Sequence, residues 1–161
     1  VTAPAFTLRD ATPDDLHLVV RFVRALAEFE ELLHEAQGTE ADFHAALFGP
    51  RPQAGSIIAE AAGEPVGLCV WHYTFSTFTA RHGIWVEDIF IEPEHRRKGI
   101  ARAMFRDLAR RVKAEGGARL EWNVLNWNEP AIAAYRAMGA RPLDKWTTQR
   151  VDGAALDALA G

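Results

Sequence analysis

The spacing of apolar residues changes period several times along this chain, and each change predicts an element. Phe6-Thr-Leu-Arg9 alternates and reads as a first strand. Leu16, Val19, Val20, Val23, Leu26, Ala27 and Phe29 then recur at helical spacing. Thr12-Pro13-Asp14-Asp15 precedes them with a cap, a first-turn proline and two acids. This helix ends in Glu28, Glu30, Glu31 and Glu35, where acids oppose the macrodipole. The cluster reads either as a local use or as a solvated helix end, the solvated reading being stronger for Glu28 and Glu35 than for Glu30. Thr39 to Asp42 caps a second, shorter helix to about Phe48, and Gly49 to Pro52 is a loop. Ser56 to Glu60 and Pro65 to Phe75 form an antiparallel hairpin around Gly63-Glu64. After the polar connection Ser76 to His82, Ile84 to Ile91 is a strand stopped at Glu92-Pro93. Gly99 to Glu115 is an amphipathic helix with Ile100, Met104, Leu108 and Val112 inward, and Gly116-Gly117 ends it. Arg119 to Leu125 is a strand, Asn128 to Met138 a short helix, Leu143 to Val151 a last strand, and Ala154 to Ala160 a terminal helix.

This order gives an α/β fold, a mixed sheet with helices on both faces. Strand, helix and strand from Ile84 to Leu125 imply parallel neighbours and a right-handed crossover. The 161 residues contain no repeat or linker and read as a single domain, 1–161. A hydrophobic share of 48% excludes a disordered chain. The net charge of −4 argues against nucleic acid as a partner. No apolar run approaches the ~20 residues of a membrane span, and no signal-peptide pattern opens the sequence. A soluble, cytoplasmic protein is the expectation. The one cysteine, Cys69, lies in the apolar run Val66 to Trp71 and reads as a buried structural thiol. The six histidines show no metal spacing, so no metal is expected.

Candidate chemistry concentrates between Val86 and Arg102. An apolar strand carrying Glu87 and Asp88 meets a proline stop, then a basic, glycine-containing turn that opens a helix. Unpaired N–H groups at a helix start carry partial positive charge and can hold a pyrophosphate. Arg96, Arg97, Lys98 and Arg102 add formal charge there. The turn has no Gly-Lys-Ser/Thr and no G-x-G-x-x-G, which excludes a Walker loop and a dinucleotide fingerprint. An anion cradle beside a carboxylate pair suggests an enzyme holding a phosphorylated cofactor next to a proton acceptor.

Arg96-x-x-Gly99-x-Ala101 resembles the acetyl-CoA loop of the GNAT superfamily of N-acetyltransferases. A second block, Asn128-x-x-Ala131-x-x-x-Tyr135 before Gly139, resembles the same superfamily. Trp127-Asn128-Glu129-Pro130, Val86-Glu-Asp-Ile-Phe90 and Phe75-Ser-Thr-Phe78 are similar to its spermidine/spermine (diamine) acetyltransferase branch. The resemblance covers nearly the whole chain. It implies two central parallel strands that splay apart, with the pantetheine arm of acetyl-CoA in the gap. It places the pyrophosphate on Arg96, Arg97, Lys98, Gly99, Ile100, Ala101 and Arg102, and the pantetheine along the backbone of Ile89, Phe90 and Ile91. Asn128 and Pro130, at a helix start, take further cofactor positions, and Asn128 also reads as a plain N-cap.

Acetylating an amine requires removing a proton from an ammonium of pKa roughly 10. Glu87 is the expected base, directly or through water, or else a paired carboxylate orienting the strand. Strand alternation sends Asp88 to the opposite face, as a structural residue. The leaving thiolate needs a proton donor, and Tyr135 stands at the family's general-acid position; its other reading is a core aromatic. Direct attack in a ternary complex is implied, with no acyl-enzyme. Acids near the site point to a small cationic amine. Glu30 matches the family's polyamine-contacting glutamate, with Phe29 in place of a neighbouring tyrosine. Polyamine-specific members carry aspartate where this chain has Thr77. Ser76-Thr77-Phe78 resembles the relatives that acetylate thialysine and similar lysine-like amino acids. A polyamine remains the alternative substrate, and an acyl-CoA-binding sensor the alternative of another class. The resemblance also implies a homodimer, with the C-terminal strand as an exchange element.

Overall fold

Five strands align in chain order into one sheet in the computed structural model, which describes residues 5–161. They are β1 (Thr7–Asp10), β2 (Gly55–Ala61), β3 (Glu64–Ser76), β4 (Arg81–Ile91) and β5 (Leu120–Trp122). The first three junctions are antiparallel and β4–β5 is parallel. Helix α3 (Ile100–Ala114) bridges the parallel pair, as the strand–helix–strand pattern requires.

The sheet is covered on both faces. Leu18, Val19 and Phe22 of α1 (Leu16–Phe29) and Leu47 of α2 (Glu40–Phe48) bury one face with Ile58, Leu68, Val70 and Phe90. Pro13–Asp15 forms a short 3-10 turn before α1. The alternate strand residues Ile57, Cys69, Trp71 and Val86 are buried on the other face. There α3 contributes Ile100, Met104, Phe105, Leu108 and Val112, and its Arg111 reaches the Trp71 ring at 5.9 Å. Burial pushes the Cys69 thiol well above its ordinary range, so it stays protonated and inert, as its apolar context predicts.

The fold divides into two compact units, one ending at Asn123 and one running from Val124 to Gly161. The second holds α4 (Glu129–Ala137) and α5 (Gly153–Ala160). Two expectations need correction. The strand expected to reach Leu125 pairs only over Leu120–Trp122. The expected last strand, Leu143 to Val151, does not form. A strand exists only through pairing, and this stretch makes a local turn bond from Trp146 N–H to Leu143 C=O at 3.0 Å with no ladder. Among the described residues, no helix is long and apolar enough to cross a membrane, and no cluster of three or more His, Cys, Asp or Glu is arranged for a metal.

Candidate active site

The register of β3 against β4 slips once. Val70 lies opposite Asp88, but its successor Trp71 lies opposite Val86. Glu87 is therefore an extra residue, a β-bulge. Bulges re-aim side chains and concentrate near active sites. This one overturns the expectation that Glu87 and Asp88 face opposite ways. Asp88 shares the face of its partner Val70, which is the face covered by α1. His72, two residues from Val70, shares it too, and His72 Nε2 lies 3.6 Å from Glu87 Oε2. The extra residue breaks the alternation and gathers both acids on one side.

A third carboxylate joins them from α1. The helix closes with Leu32 N–H bonding Ala27 C=O at 2.7 Å, while Glu31 takes a left-handed φ of 62°. That closure turns Glu30 inward, and burial raises its carboxyl above the ordinary range. Asp88 is pushed up to about 6, first by burial, then by the negative charges of Glu87 and Glu30. Three acids thus crowd one side of β4. Burial and like charge together make Asp88 ready to take up a cation or a proton. Strand alternation alone sends Asp88 away from Glu87 and leaves His72 unconnected to it, because a bulge has no sequence signature.

The other edge of β4 is open where it matters. Pairing with β5 covers Ile84, Trp85 and Val86 and then stops. Glu92 N–H bonds Val66 C=O across β3 at 2.9 Å. By alternation, the backbone groups of Ile89 and Ile91 face away from β3, toward the free edge. Phe90 instead turns its ring into the core beside Phe22, with centroids 6.0 Å apart. At the end of this edge the basic turn leads into α3. Arg97 and Gly99 adopt left-handed φ values of 61° and 86°, and no side chain caps the helix. The first-turn N–H groups of α3 therefore point outward beside exposed Arg97 and Lys98. Arg96 is used differently. Its Nε donates to Ile91 C=O at 2.9 Å, and its guanidinium covers the rings of Phe29 at 4.8 Å and Phe90 at 5.7 Å. It ties the turn to α1 and β4.

The remaining sites are placed separately. Thr77 lies in the exposed turn between β3 and β4. The extended chain from Arg81 to Glu87 spans roughly 20 Å, so the three acids and Thr77 are not brought together. In the second unit, Asn128 Oδ1 accepts from Ala131 N–H at 3.3 Å, the N-cap expected of it. Pro130 occupies the first turn of α4 and a half-buried Tyr135 its last.

A family model described as "Acetyltransferase (GNAT) family" matches residues 21–140. The chain belongs to the GNAT acetyltransferase family. A thialysine N-epsilon-acetyltransferase of Bos taurus is 34% identical over 165 residues, covering 96% of each chain. An L-ornithine N5-acetyltransferase of Arabidopsis thaliana is 26% identical, covering 94% of this chain and 86% of its own. An integron cassette protein of V. cholerae shares the fold with a TM-score of 0.80 at 21% identity, covering 98% and 99% of the two chains. This GNAT chain is an acetyl-CoA-dependent N-acetyltransferase. The five-stranded mixed sheet and the divergence of β5 from β4 after Val86 are its framework.

Proposed function

We propose that this enzyme acetylates the side-chain amine of a small, lysine-like amino acid such as thialysine, by direct attack in a ternary complex. The observation that carries the reading is the gathering of Glu30, Glu87 and Asp88 beside the unpaired edge of β4. A free strand edge suits an amide-bearing pantetheine arm, held by the backbone at Ile89 and Ile91. The uncapped start of α3, with Arg97, Lys98 and Arg102, suits the diphosphate. Acetyl-CoA supplies the activated thioester carbonyl. Glu30 and Asp88 attract and orient the substrate ammonium, and Glu87 takes its proton. The resemblance gives Tyr135 the role of proton donor to the departing thiolate, and Asn128 and Pro130 further cofactor positions.

The relatives favour an amino acid over a polyamine, since thialysine and ornithine are each an amino acid ending in one side-chain amine. Thr77, where an aspartate would serve a polyamine, points the same way. We place the enzyme in the cytoplasm as a homodimer, with neither nucleic acid nor membrane as partner. Thiol release from acetyl-CoA, followed across thialysine, lysine, ornithine, spermidine and spermine, tests the substrate. Highest kcat/KM on thialysine or ornithine is expected. A preference for spermidine would replace this reading with the polyamine one, and acetyl-CoA binding without amine-dependent thiol release would leave a sensor.

A further inference from the structure

We propose that His72 is the partner through which Glu87 disposes of the substrate's proton, so that the two side chains work as a relay to solvent. The inference rests on the acetyl-transfer reading above and concerns the proton alone. His72 Nδ1 lies 3.1 Å from Tyr73 C=O. A carbonyl only accepts, so Nδ1 carries the hydrogen and a neutral ring leaves Nε2 as a bare lone pair. That lone pair faces Glu87 Oε2 at 3.6 Å. The separation lies beyond a hydrogen bond but within ion-pair reach, so a proton taken by either side chain draws the two together. Trp85 lies near-parallel to the imidazole, with ring centroids 6.5 Å apart and planes at 27°.

Other charged and polar groups stand near the pair. From β4, Asp88 lies beside Glu87, and from the end of α1, Glu30 acts on Asp88. From β5, Glu121 is paired with Arg119 at 2.7 Å. On its own strand, the Tyr73 hydroxyl is bonded to Glu115 at 2.9 Å. In the relay, the ammonium N–H bond breaks and its proton passes to a Glu87 oxygen, directly or through water. It then moves to His72 Nε2, leaving Glu87 ionised and the amine free to attack. The His72 side chain is 38% exposed, so the imidazolium returns the proton to water before the next turnover.

His72 acts through Glu87 and is a positioning residue. Two measurements on the full chain test it. In His72→Gln, the acid limb of kcat should move to lower pH and kcat near pH 7 should fall about tenfold, a part of the usual general-base contribution. A structural role would lower the rate equally at all pH and overturn the proposal. In NMR of the His72 ring, Glu87→Gln should lower the pH of half-titration; an unchanged midpoint in an active enzyme also overturns it. If the wild type acetylates no amine, the acetyl-transfer reading falls and takes the relay with it, even should the midpoint shift.

Discussion

Asp88 shows how much one side chain can be asked to bear. Its carboxyl is raised from 3.8 to about 6 by burial and by the charges of Glu87 and Glu30. In the unfolded chain it returns to the lower value. A raised folded pKa means the folded state binds the proton more tightly. The favourable contribution is therefore complete below about pH 4 and lost as pH rises through about 6. Above that, ionised Asp88 costs the fold roughly 3 kcal/mol. Asp88→Asn should accordingly raise stability by about 2 kcal/mol at pH 8 and change it little at pH 4, as urea unfolding at the two pH values would record. An equal change at both would remove the account given for this residue. The stability given up has a use. The ionised form offers the charge that draws an ammonium in, so the KM for the amine should rise as pH falls below about 6, while the KM for acetyl-CoA, bound elsewhere, stays level.

At the scale of elements, what the chain reveals of itself depends on where the determining contacts lie. Helix α3 was legible because its apolar stripe, Ile100, Met104, Leu108 and Val112, is local and all four residues are buried. So was the basic turn before α3, whose glycine and arginines lie together in sequence. The bulge at Glu87 was not legible, because register is settled by a partner strand and not by the bulged residue. The early end of β5 was hidden for the same reason. The turn before α3 offers a direct test of its geometry. Gly99 stands at φ 86°, and a Cβ there would meet nothing within 4 Å. Substitution by alanine therefore meets only backbone strain, of about 1–2 kcal/mol. Gly99→Ala should lower stability by about that amount. It should also raise the KM for acetyl-CoA several-fold with the KM for the amine unchanged, because relaxing the strain re-aims the first N–H groups of α3. A variant with unaltered acetyl-CoA kinetics would separate this turn from cofactor binding.

At the scale of the whole molecule, the segment from Leu143 to Val151 poses a question that a single chain does not answer. Its composition led to a strand, yet it has no ladder, and Leu143, Trp146 and Val151 are exposed, Trp146 by 75%. Exposed aromatic and branched residues on a stretch outside any ladder are a template for pairing with another chain. The exposed Leu156 and Leu159 of α5 extend the apolar surface nearby in sequence. A second copy presents the same segment, and a two-fold arrangement lets each supply what the other lacks. Light scattering on the purified protein should then give twice the 17.9 kDa chain mass, and Trp146→Asp should return it to a monomer. Because Trp146 is exposed within the single chain, its replacement leaves the core of that chain unaltered, so the monomer should stay folded by circular dichroism. A dimer that survives Trp146→Asp would put its interface on another face, and a wild type of single-chain mass would remove the homodimer from the proposed function while leaving the acidic cluster on β4 intact.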